Sequence, residues 1–131
     1  MNRYFFDSSA IIALVERNKP DELLDGWTID LAFYELGNAV WKQVHLYNTL
    51  SIDDAKIALD ALISVFKRMH RFQEIGPLSV LRVAAKEGLT YYDAAYLQAA
   101  ADKKLTLVTD DKKLRRIGSK YVNTITSREL K

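Results

Sequence analysis

Four acidic residues of this 131-residue chain stand apart from its other charges. Asp7 lies between Phe6 and the apolar run Ala10 to Val15. Glu35 sits within Leu31-Ala32-Phe33-Tyr34-Glu35-Leu36-Gly37, and Asp93 within Tyr91-Tyr92-Asp93-Ala94-Ala95-Tyr96-Leu97. Asp111 follows Leu107-Val108-Thr109-Asp110. A carboxylate in apolar surroundings is costly unless it is paired or bound to a cation. No lysine or arginine adjoins Glu35 or Asp93 in the sequence. A divalent cation is therefore a natural partner, beside a basic residue from elsewhere in the chain. Mg²⁺ and Mn²⁺ take oxygen ligands, and such an ion can neutralise a phosphodiester oxygen, orient a water and lower its pKa.

Each acid also has a structural role open to it. Asp7 can begin a turn or cap a helix starting at Ser8 or Ser9. Glu35 can be a solvated helix residue. Asp93 completes a capping box with Thr90, and Asp111 can cap the helix that follows it. Other chemistries are closed off more firmly. The chain has no cysteine, which removes disulfides, thiolate zinc sites and a cysteine nucleophile together. His45 and His70 lack ligand-like spacing. Any metal would be a hard cation held by oxygen.

The elements that must position these acids follow from periodicity. Arg3 to Phe6 reads as a buried first strand, ended by Asp-Ser-Ser. Ser8 to Arg17 reads as a helix, Trp27 to Leu31 as a short strand and Ala32 to Tyr47 as a helix with Phe33, Leu36, Val40 and Val44 near one face. Asp53 to Met69 carries Ala55, Leu59, Leu62, Ile63, Phe66 and Met69 at helical spacing, behind Ser51 as N-cap. Pro77 to Glu87 predicts a helix ended by Gly88, followed by a helix over Thr90 to Lys103. Leu105 to Val108 reads as a strand, Asp111 to Ile117 as a short basic helix stopped by Gly118, and Val122 to Ile125 as a last strand. No element is assigned over Phe72 to Ile75.

Strands separated by helices imply a parallel α/β sheet with helices on both faces. Length and the absence of a Pro/Gly-rich linker fit one domain over residues 1–131. In open parallel sheets, sites form at the carboxyl ends of strands. Asp7 follows the first strand there, and Asp110 and Asp111 follow the strand ending at Val108. Glu35 and Asp93 fall in the first turns of their helices.

The charge is uneven. Residues 1–66 carry a net −5 and residues 67–131 a net +7, for a total of +2. A basic half can face a polyanion, or be ordinary solvated surface. The acid at Asp7 interrupts any apolar leader, and no stretch of about 18 uncharged apolar residues exists, so the expectation is a cytoplasmic protein without a membrane span.

Taken in order, Phe5-Phe6-Asp7-Ser8-Ser9-Ala10, Tyr34-Glu35-Leu36, Thr90-Tyr91-Tyr92-Asp93-Ala94-Ala95-Tyr96 and Leu107-Val108-Thr109-Asp110-Asp111-Lys112-Lys113-Leu114 resemble the PIN domain. More narrowly, they are similar to the VapC-type toxin ribonucleases of prokaryotic toxin–antitoxin pairs. The resemblance runs nearly end to end. It implies a three-layer α/β/α sandwich with a central parallel sheet and a Mg²⁺- or Mn²⁺-dependent endoribonuclease. It implies that Asp7, Glu35, Asp93 and Asp111 are the catalytic and metal-binding acids, with Asp7 and Asp93 on the principal ion. The fourth acid is taken two residues after Thr109, which leaves Asp110 as a spectator or outer charge. Ser8 and Ser9 are candidates to hydrogen-bond a ligand or a metal-bound water.

The resemblance further implies a homodimer and a cognate antitoxin whose tail enters the acidic site. Trp41, Val44, Leu46 and Tyr47, with the helix Asp53 to Met69, offer apolar surface for one of these contacts, or core. Lys112, Lys113, Arg115 and Arg116 are candidates to hold RNA phosphates. The alternatives are a PIN-like module that binds RNA or protein without cleaving, and a PIN-type processing or DNA nuclease that is not a toxin. Phosphatase and receiver-type phosphoacceptor readings fit poorly. Ser9 stands where the former needs a second aspartate, and Asp7 lacks the acidic neighbour of the latter.

Overall fold

A computed structural model describes residues 3–130. The strand β1 (Tyr4–Phe6) lies at the centre of a five-stranded sheet, flanked by β2 (Trp27–Ile29) and β4 (Thr106–Val108), with β3 (His70–Phe72) and β5 (Thr124–Ile125) at the edges. Every pairing is parallel. The helices are α1 (Ser8–Glu16), α2 (Leu31–His45), α3 (Ile52–Phe66), α4 (Pro77–Glu87), α5 (Tyr91–Lys103) and α6 (Lys112–Gly118). Helices α1, α2 and α3 pack on one another, and α5 packs on α4, α6 and the sheet. This is the three-layer α/β/α arrangement expected of right-handed crossovers between parallel strands.

The order 3-2-1-4-5 reverses direction at β1. From β1 the chain builds outward through β2 to β3, then returns to β4 on the opposite side of β1. The crevice between the carboxyl ends of β1 and β4 is therefore the topological switch point, where such sheets place their ligands. Register brings the two ends level. Phe6 pairs with Val108, and the Asp7 N–H donates to the Val108 carbonyl at 3.2 Å. A buried threonine closes the adjoining edge, for Thr28 on β2 donates its hydroxyl to the Phe6 carbonyl at 2.8 Å.

Short strands of fully buried residues, Phe5, Phe6, Leu107 and Val108, explain why aliphatic and aromatic runs of three suffice here. Local signals set the helix ends. Ser51 and Thr90 accept from the N–H groups three residues on, at 3.1 Å each. Pro77 opens α4, and Gly88 closes it at φ 68°. Gly26 must lack a side chain, because a Cβ there would sit 2.5 Å from the Phe6 ring.

The structure corrects the sequence expectations in places. The helix expected through Met69 ends at Phe66, because Met69 packs into the core from the turn beyond it, with its N–H on the Phe66 carbonyl. Its apolar side chain extends the helical pattern past the helix itself. The edge strand β3, His-Arg-Phe, is not anticipated by the sequence. It is exposed and polar, and it is held by Phe72 stacked on Trp27 at 4.3 Å and by Arg71 bridging to Asp30. The last strand is also shorter than expected, since the Val122 N–H is spent on the Gly118 carbonyl in the preceding turn.

Candidate active site

Asp7 ends β1 in extended geometry and caps α1. Its Oδ1 accepts from the Ala10 N–H at 2.9 Å and from the Ser9 hydroxyl at 2.7 Å, while Oδ2 accepts a short hydrogen bond from Thr109. The residue is only 3% exposed. Among the described residues it has no basic partner within ion-pair distance. Burial therefore dominates and pushes its carboxyl up to about 7, against the opposing pull of three hydrogen bonds, with the Asp93 charge adding to the rise.

Asp93 stands in the first turn of α5, on a helix whose Ala94, Tyr96, Leu97, Ala99 and Ala100 are buried. Half-buried itself, it is raised above the ordinary carboxylate range by desolvation first, then by the charges of Asp111 and Glu35; Thr90 and Lys113 oppose this. Glu35 projects from α2 and accepts from the Ser8 hydroxyl at 2.9 Å. Asp111 caps α6, with Oδ1 on the Leu114 N–H at 2.8 Å. The structural roles and the acidic cluster thus coexist. Three of the four acids sit at helix N-termini, where the helix dipoles favour negative charge.

Asp110 and Asp111 part company. Asp110 turns to the C-terminal segment, where Oδ1 accepts from the Ser127 N–H at 2.7 Å and Oδ2 from the Ser127 hydroxyl at 2.6 Å. Arg17 donates to the same Ser127 hydroxyl at 2.7 Å. Thr109 and Ser9 link the two halves of the site, since Thr109 Oγ1 accepts from the Asp111 N–H and Ser9 Oγ from the Asp110 N–H.

The basic residues also divide. Lys112 and Lys113 open α6 beside Asp111, and Lys113 reaches the Gly88 carbonyl at 2.7 Å. Arg115 and Arg116 lie in the last turn, and the Arg115 charge bears on Glu129, away from the acids. Two groups of the site escape sequence reasoning. Asn38 and Lys42, three and seven residues after Glu35, line the cleft with Ser8, Ser9 and Glu35; helical spacing from Glu35 is the signal that marks them. Tyr96, three residues after Asp93, faces Glu35 and Ser8 from the buried side.

The donor set is oxygen throughout, which fits a hard cation. Among the described residues, no three acids or histidines converge closely enough to hold an ion between them as they stand. That spacing suits a hydrated ion held directly by one or two carboxylates, the usual habit of Mg²⁺.

No family model matches the chain. Similar proteins include Exonuclease VapC9 of Pyrobaculum aerophilum, 37% identical over 120 residues that span 85% of this chain and 82% of that protein. Ribonuclease VapC3 of the same organism is 35% identical over 118 residues, spanning 82% and 88%. The crystal structure of PAE2754 from Pyrobaculum aerophilum superposes at a TM-score of 0.83 with 31% identity, covering 97% of this chain and 85% of that one. FitAcB from Neisseria gonorrhoeae superposes at 0.61 with 15% identity, covering 97% and 99%, and shows the shared fold.

Proposed function

This chain belongs to the VapC family of PIN-domain proteins, and we propose that it is a metal-dependent ribonuclease, the toxin of a type II toxin–antitoxin pair, acting at the crevice between β1 and β4. The observation that carries the reading is Asp7: a buried carboxylate at the switch point, without a basic partner among the described residues, in electrostatic reach of Asp93. Such a group calls for a cation that the fold itself does not supply.

Asp7 and Asp93 would hold the principal ion, with Glu35 and Asp111 completing the pocket or holding a second. A bound Mg²⁺ or Mn²⁺ would supply positive charge for the phosphodiester oxygens and a water of lowered pKa. The chain's own residues do the rest. Thr109, Ser9 and the Ala10 N–H fix both oxygens of Asp7, and Ser8 fixes Glu35. Lys112 and Lys113 flank the acids and hold the phosphates on either side of the scissile bond. The bond broken is P–O of the RNA backbone, with water adding its oxygen to phosphorus and its proton passing to the leaving alkoxide.

The relatives carry both names, exonuclease and ribonuclease. We assign internal cleavage. A circular RNA and a 5′-labelled linear RNA, each incubated with Mg²⁺ or Mn²⁺, test it. Cutting of the circle supports the assignment, and stepwise trimming of the linear substrate alone overturns it. Asp7→Asn must abolish both products while remaining folded.

An antitoxin and a second copy of the chain belong to the same proposal. Trp41, Leu46 and Tyr47 on and just after α2 are about half exposed or more, and Trp41 borders an apolar groove with Val44, Ile52 and Leu59. An apolar segment of an antitoxin fits that groove, with its tail directed to the acids. Among the described residues no helix is long and apolar enough to cross a membrane.

A further inference from the structure

The Tyr96 hydroxyl is buried beneath the acids without a hydrogen bond of ordinary geometry. The side chain is 1% exposed, and its ring packs edge-on against Phe5 at 6.2 Å. A phenylalanine would fill this place without burying a polar atom, and leaving a buried hydroxyl unpaired costs free energy. The polar groups that act on that oxygen belong to the site: Glu35, Ser8 and the charge of Asp7. A tyrosine hydroxyl carries its proton near neutral pH and can donate it to a carboxylate. On the Glu35 carboxylate, Oε1 accepts the Ser8 hydroxyl at 2.9 Å. By contrast, Asp7 has three donors on its two oxygens.

We propose that Tyr96 is a positioning residue of the acidic site, its hydroxyl donating to the Glu35 carboxylate as that carboxylate turns to engage the cation. Ser8 and Tyr96 then hold Glu35 from two sides, and the buried hydroxyl gains a hydrogen-bond partner. Tyr96 touches neither cation nor RNA; it acts through Glu35. The inference rests on the proposed metal-dependent reading of the same site.

The test compares wild type, Tyr96→Phe, Glu35→Gln and the double variant in three measurements: thermal stability without metal, Mn²⁺ affinity by titration calorimetry, and kcat and KM for RNA cleavage. Tyr96→Phe is expected to melt no lower than wild type without metal, since only an unpaired hydroxyl is lost. It should bind Mn²⁺ roughly 10-fold more weakly, as loss of an outer hydrogen bond to a ligand does. Its kcat should fall with KM unchanged, and adding Tyr96→Phe to Glu35→Gln should cost nothing further. Three results overturn the inference: a lower melting point of metal-free Tyr96→Phe, Mn²⁺ affinity and kcat within about twofold of wild type, or additive losses in the double variant. A wild type that binds no Mn²⁺ overturns the metal reading itself, and this inference with it.

Discussion

Thr109 on the loop after β4 donates its hydroxyl to Oδ2 of Asp7 on the loop after β1, tying together the ends of the two central strands. The same threonine oxygen accepts the Asp111 N–H at 3.1 Å, so one buried threonine serves both acids. Thr109→Val keeps the shape and removes both hydrogen bonds. We expect stability to fall by about 1–3 kcal/mol, the cost of unpairing buried polar groups, and cleavage to fall with it. Thr109→Ser retains the hydroxyl and should keep most of the activity. Urea titration and a cleavage assay on the pair check this; equal activity in Val and Ser variants would remove Thr109 from the site.

Asp110 and Asp111 are adjacent, yet the structure gives them opposite tasks. Asp110→Ala loses two hydrogen bonds to Ser127. It should lower stability by roughly 1–3 kcal/mol and leave metal-dependent cleavage near wild type. Asp111→Asn should do the reverse. Asparagine caps a helix about as well as aspartate, so folding is retained while the charge beside Asp93 is lost and cleavage drops. Paired melting curves and cleavage rates decide; the opposite pattern would exchange the two roles.

The division between these two acids shows how far the chain can be read unaided. The family resemblance, through the spacing from Thr109, singles out Asp111, but nothing in the sequence announces that Asp110 reaches Ser127, across 17 residues. The central strands are legible because Phe5, Phe6, Leu107 and Val108 are apolar and fully buried. The edge strand His70–Phe72 is not, since an exposed strand carries no buried-face pattern. Tyr96 is equally hidden. In an alanine-rich buried helix an aromatic reads as core, and only tertiary packing reveals that its hydroxyl faces the side of Glu35.

Helix α6 offers four basic side chains, of which Lys112 and Lys113 stand beside Asp111 at its start and Arg115 lies in its last turn, where its charge bears on Glu129. Lys112→Glu with Lys113→Glu should weaken RNA binding. On a single strand it should also flatten the salt dependence by about 0.7 for each phosphate that is no longer neutralised. Arg115→Glu should change both far less. Binding measured across a salt series with Asp7→Asn protein, which does not consume the RNA, separates the two. An unchanged slope in the lysine double variant would place the phosphates elsewhere.

Asp7 links the site to stability. Its carboxyl is pushed up from 3.8 to about 7 by burial. Between those values the folded protein holds a proton that the unfolded chain has released, so the folded state binds more protons and stability falls as pH rises. The contribution is fully favourable below the unfolded pKa and is lost by the time pH passes the folded one. The total is on the order of 4 kcal/mol. Asp7→Asn has no proton to lose. Without metal, urea midpoints should therefore show the variant gaining on wild type steadily from about pH 4 to pH 7 and level above it. Mn²⁺ at pH 8 should restore wild type, because the ion binds the ionised carboxylate that burial penalises, and it should leave Asp7→Asn unmoved. A gap between the two proteins that stays flat with pH would mean that Asp7 ionises freely in the fold, and the reason for placing a cation there would go with it.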